Sequence, residues 1–193
     1  LTNTTMNMDR LVIKQILGNE QVTQYYVVSL IGKTLVLLIA PINTIVISYL
    51  TKRKERLTRS QFGKAVLAGG GVSLAFFVAC QIGTPLFVWL FYRNLYESVK
   101  GIVTVVNLAQ ILGLFSAFLF ILVLTFTDER WQLWIQLAHF CILLVSSVLA
   151  ARTYGMMGFA VASLGANSLR VAAVVILGIV KAGKDKGDRN ADR

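Results

Sequence analysis

Apolar residues in this chain are gathered into long runs separated by short polar breaks. The runs cover 21–50, 65–92, 101–126, 131–151 and 155–180. Each has the roughly 20 residues that a helix needs to cross the hydrocarbon core of a bilayer. Strict alternation of apolar and polar positions is absent, so the pattern predicts helices rather than a membrane barrel. The expectation is an all-α integral membrane protein with five full transmembrane helices. Residues 1–17 precede them, with a polar stretch from Thr2 to Met8 and then a mainly apolar one that Gly18-Asn19 stops. This stretch is too short to span and reads as the end of a truncated sixth helix. Residues 181–193 show no periodicity and are expected to form a disordered tail.

Polar and small residues inside the runs carry most of the information. In the first span, Ser29, Lys33, Ala40, Thr44 and Ser48 follow helical spacing, and Pro41 predicts a kink beside that stripe. Gly69-Gly70-Gly71 and Gly83-Thr84-Pro85 predict a bent second span. Thr104, Asn107 and Gln110 share a face near the start of the third. Trp131 and Trp134 open the fourth, as an interfacial aromatic belt does. Arg152-Thr153-Tyr154 connects it to the fifth. There Gly155, Gly158, Ala162 and Ala166 form a small-residue stripe suited to close helix packing. Ser163, Asn167 and Arg170 are spaced four and three apart and form a polar face.

Composition agrees with a membrane protein. The chain is 56% hydrophobic and 15% charged, against about 25% charged for a soluble domain. Its net charge of +10 would suit nucleic acid, but placement argues otherwise. With five alternating spans, twelve of the 19 Lys and Arg residues fall on one side and three on the other. That bias places the basic side and the C-terminus in the cytoplasm and the turn at Gly18-Asn19-Glu20 outside, with no nucleic-acid partner. Cys80 and Cys141 lie inside apolar runs without ligand spacing and read as small buried hydrophobes.

No catalytic set is visible. His139 is the only histidine and sits mid-span, where packing or hydrogen bonding is its expected role. Acidic metal–diphosphate motifs and a phosphate-cradling glycine loop are missing, so the chain is not expected to be an enzyme or to need a cofactor or metal. What remains is a set of polar groups at membrane depth: Asp9, Arg10, Lys33, Asn107, Gln110, Asn167 and Arg170. Such groups are candidates for a substrate or ion pathway. Lys33 lies about 12 Å along the helix from Tyr25 and is open to snorkelling outward. Asn107 is open to simply bridging helices.

The run Tyr154-Gly-x-x-Gly158-x-Ala160-x-Ala162-x-x-x-Ala166-Asn167-x-x-Arg170 resembles the last core helix of polysaccharide flippases in the multidrug/oligosaccharidyl-lipid/polysaccharide exporter superfamily. Met8-Asp9-Arg10 with Leu17-Gly18, Val22 and Tyr25, and then Ala40-Pro41-Ile42, are similar to earlier stretches of the same family. Thr23 stands where the family usually has glycine. The resemblance covers about residues 8–180 and implies the C-terminal helical lobe of a two-lobe exporter. The N-terminal lobe is then expected from a longer chain, of which this is a fragment, or from a partner membrane chain.

The implied function is flipping of an undecaprenyl-diphosphate-linked oligosaccharide across the plasma membrane, for lipopolysaccharide or exopolysaccharide biosynthesis. Residue chemistry then assigns Arg170 and Lys33 to the phosphates. Asn107, Gln110 and Asn167 go to sugar contacts or helix bridging, and Asp9 to a cation or proton. Arg10 joins the same substrate-facing set. Two other functions stay open: export of a drug or another lipid, and a non-transporting membrane subunit of a polysaccharide synthesis complex. Spans carrying Lys and Arg, with Asp9 their only acid, favour an anionic substrate over a cationic drug.

Overall fold

The computed structural model describes the backbone of residues 2–52, 58–124, 127 and 129–182, with side chains except at 2–8, 36–43, 45–47, 49–52, 129 and 132. Residues 53–57, most of the basic turn that the sequence places between the first two spans (Thr51–Arg59), the tail beyond 182, and the side chains of Ala40, Pro41 and Ile42 lie outside the described residues. The expectation of a disordered tail therefore falls there too.

Among the described residues the fold is helical, without strands. Helix α1 (Thr2–Leu17) is followed by α2 (Asn19–Lys52) and α3 (Arg59–Phe91). A single 3-10 turn (Arg93–Leu95) and the one-turn α4 (Tyr96–Val99) lead to α5 (Val103–Leu124) and the long α6 (Glu129–Lys181). Three stretches are long and apolar enough to cross a membrane: Arg59–Phe91, Val103–Leu124 and Leu133–Lys181. The chain is thus a helical membrane protein.

Two of these elements meet at single-glycine turns. Gly18, with φ 96°, separates α1 from α2. The pairing of Asp9 with Lys33 shows that the two helices lie antiparallel. Inside α6, Gly155 has φ 62° and ψ −145°, a region that residues with a Cβ essentially do not enter. It divides α6 into arms 129–154 and 156–181, which fold back on one another. His139 meets Asn167 at 3.2 Å, and Lys181 Nζ lies 5.5 Å over the Trp131 ring. These contacts exist only if the arms form a hairpin.

The structure thereby changes the reading of the small-residue stripe. Gly155 is the reversal itself. Gly158 abuts the backbone of Ala150, where any Cβ would overlap the carbonyl oxygen. The first two members of the stripe therefore close the hairpin on itself. The connection at 152–154 is also tighter than its polar sequence implies, since those residues remain helical.

Helix α5 is central and packs against α2, α3 and α6. Its buried positions, from Val103 to Val123, point to all three neighbours. One core cluster joins Val12, Ile13, Tyr25, Val88, Val103 and Phe159 near the Gly18 and Gly155 turns. A second, at the opposite end, joins Phe62, Leu119, Phe120, Val123 and Val174. At that end Gly178 receives the Phe62 ring, whose Cε1 would lie 2.5 Å from an added Cβ. The outward faces are apolar: Leu67, Leu74, Ile82 and Leu86 on α3 and Leu133, Ile142, Val145 and Leu149 on the first α6 arm are exposed. Such a surface is stable against hydrocarbon and would be a liability in water. Cys80 is buried as expected, whereas Cys141 is exposed on this outer face.

The start of α3 is fixed locally. Thr58 caps it by accepting from the Gln61 amide, and the Gln61 side chain accepts from the Thr58 amide. The helix then runs unbroken through the triple glycine and Pro85 to Phe91.

Candidate functional site

The polar residues singled out in the sequence fall on three sides of α5. On the α3 side, Asn107 is fully buried. Its amide donates to the Cys80 carbonyl (3.1 Å) and to Gln81 Oε1 (3.0 Å), and its oxygen accepts from the Thr84 hydroxyl (3.2 Å). Gln81 also donates to Thr104 at 2.9 Å. The three α3 groups, the Cys80 carbonyl, Gln81 and Thr84, lie in the turns before Pro85, which removes one backbone donor from the helix. Asn107 is a bridge between α3 and α5, with its hydrogen-bonding capacity taken up inside the bundle.

On the α2 side, Gln110 lies against Gly32, where an added Cβ would sit 2.8 Å from the Gln110 Cβ. The next residue, Lys33, donates to Asp9 of α1 at 2.5 Å. Both side chains are mostly shielded, at 22% and 12% exposure, so the pair sits in a medium of low polarity. An ion pair there is held more strongly than on a wet surface, because the attraction is less screened. Close by, Tyr25 packs edge-on to Phe159 of the second α6 arm, and its hydroxyl meets Ser163. Arg10 points elsewhere. It is exposed, with its guanidinium 4.2 Å from the Tyr26 ring centroid.

On the α6 side, Asn167 donates to the Ala109 carbonyl of α5 (2.9 Å) and meets His139 of the first arm (3.2 Å). It thus ties α5 to both arms of the hairpin. One turn further, Arg170 stacks over Phe120 of α5 with 5.1 Å between guanidinium carbon and ring centroid. Its Nε is buried without a hydrogen-bond partner. Arg170 stands about 16 Å along the helix from Lys181, well inside the bundle.

Outside the spans, Lys100 and Glu97 form an exposed pair in the connection after α3. The Glu97 carboxylate holds the Lys100 ammonium above the usual lysine range, through its hydrogen bond and its charge.

Gln81, Thr84, Tyr25 and Ser163 belong to these clusters although sequence reasoning gave them no site role. A signal for one α6 contact was present: His139 and Asn167 lie nearly equidistant from the break at 152–155. Antiparallel arms must bring such pairs level.

Comparison with protein-family models, with curated proteins and with solved structures gives no match to this chain.

Proposed function

We propose that this chain flips a lipid-diphosphate-linked oligosaccharide across the plasma membrane. In this reading it forms a helical lobe of five full spans plus the end of a sixth, and its basic end and C-terminus are cytoplasmic. The observation that carries the reading is Arg170. The carboxylates of the described side chains are engaged elsewhere: Asp9 with Lys33, Glu97 with Lys100, and Glu20 with Gln24. Arg170 has Phe120 for a neighbour and a buried Nε with no acceptor. A cation placed this deep costs about 2.5–3.5 kcal/mol on insertion scales. An anionic headgroup arriving beside it removes that cost and gains a charge-assisted hydrogen bond. The diphosphate itself cannot cross hydrocarbon unaided. Asn167, one turn away, is assigned in this reading to sugar contact or helix bridging, and its amide already ties α5 to both arms. The same logic disfavours a cationic drug as cargo.

The test is transport by the full chain in proteoliposomes, with labelled undecaprenyl-diphosphate-linked oligosaccharide. Arg170→Ala is expected to insert and fold but to lose flipping. Normal transport by that variant would overturn the assignment. A second reading has its own support. Asn107, Asn167, Asp9 and Lys33 are all partnered within the bundle, as the core of a non-transporting assembly subunit would be. Co-purification with a glycosyltransferase or polymerase, together with no transport in liposomes, would favour it.

A further inference from the structure

The end of the bundle opposite the Gly18 and Gly155 turns brings two cations and two exposed indoles together from three helix ends. Phe62, fully buried, plugs onto Gly178. Arg59 lies three residues before Phe62 and Lys181 three residues after Gly178, in antiparallel helices, so both stand about one turn beyond the same contact. Lys181 is fixed there by the Trp131 ring, 5.5 Å from its Nζ. Arg59 is exposed, and Trp131 and Trp134 are 45% and 67% exposed. Exposed Ile176, Ile179 and Val180 continue from Lys181 along the outer surface.

We propose that Arg59 and Lys181, with Trp131 beside them, form a headgroup site for an anionic phospholipid of the leaflet at this end. Indole rings settle at the membrane–water boundary, at the depth of lipid phosphates. The Trp131–Lys181 contact holds an ammonium at that depth. Arg59 adds a guanidinium able to take a phosphate through two parallel hydrogen bonds. The apolar track through Ile179 and Ile176 accepts an acyl chain. A zwitterionic lipid offers the same phosphate and chain but carries its own cation, which these two residues repel. The occupant is therefore a lipid with net negative charge, held at the mouth of the α6 hairpin. This site is separate from Arg170 and does not depend on transport.

The experiment uses the full chain carrying Trp89→Phe, which leaves Trp131 and Trp134 as reporters at this end. Quenching of their fluorescence is compared for brominated phosphatidylglycerol and brominated phosphatidylcholine in mixed vesicles. Brominated phosphatidylglycerol is expected to compete for the site about fivefold or more better, since each surface cation near an anionic leaflet contributes a comparable factor. The preference should vanish in Arg59→Gln/Lys181→Gln and weaken with salt in the parent. Equal quenching by the two lipids in the parent would overturn the proposal. So would an unchanged preference in a folded double variant, or, if that variant does not fold, a preference in the parent that high salt leaves intact.

Discussion

Replacing Gly158 by alanine perturbs the α6 hairpin at its tightest point. The added methyl would overlap the Ala150 carbonyl oxygen and lie 2.8 Å from both the Ala150 carbonyl carbon and the Tyr154 Cβ. Carbon atoms prefer about 3.5 Å or more, so the arms must part by roughly 0.7 Å or more. Backbone is in the way, and no side chain can rotate aside to relieve it. The His139–Asn167 contact, already 3.2 Å, stretches beyond hydrogen-bond range. Overpacking of this kind costs about 1–3 kcal/mol, and an interhelical hydrogen bond in a membrane about 0.6 kcal/mol more. The expected loss is therefore about 2–4 kcal/mol. Gly71→Ala is the control: it too is helical, but nothing lies within 4 Å of its added Cβ. It should be neutral or stabilising by up to about 1 kcal/mol. The assay is reversible unfolding of the full chain in mixed micelles by SDS titration, followed by tryptophan fluorescence. Equal stability of the two variants would refute the hairpin geometry.

Three further outcomes follow from the same contacts. Asn107→Leu removes three hydrogen bonds and strands the Thr84 hydroxyl and Gln81 Oε1; it should cost about 1–3 kcal/mol in the same titration. Asp9→Asn or Lys33→Gln alone should each cost about 3 kcal/mol by removing one partner of a shielded ion pair, while the double variant recovers at least about 1 kcal/mol; additive losses would deny the pair. Glu97→Gln should lower the Lys100 pKa, read by NMR of the labelled ammonium. Because the folded Lys100 pKa is raised, whatever stability the pair contributes is present below the ordinary lysine value of about 10.4 and fades only as pH rises through the raised one.

How far the chain could be read in advance depended on how local each signal was. One element end was legible, since Gly18-Asn19 stops α1, whereas the Thr58 cap that opens α3 emerged only from the structure. Apolar run lengths identified the membrane class because the bilayer fixes them. The role of Gly155 and Gly158 was not legible, since a glycine three residues from another serves equally for a reversal or for a close helix contact. Lys33 read as a free cation because its partner, Asp9, is 24 residues away and meets it only through the Gly18 turn. Asn107 and Gln110, three residues apart on one helix, look alike in sequence. Structure sends one into α3 and the other onto α2. Arg170 stood out by depth alone, yet its stacking on Phe120 depends on how α5 and α6 pack.

The most direct test of the functional account is equilibrium binding of an undecaprenyl-diphosphate-linked oligosaccharide to the full chain in nanodiscs, with the native residue and with Arg170→Gln. Binding precedes flipping, so it can be read even if transport needs a partner lobe. If Arg170 receives the diphosphate, the native chain binds and the variant loses about tenfold or more in affinity, the value of a charge-assisted hydrogen bond. Equal affinity in the two, or no binding by the native chain, would contradict the account.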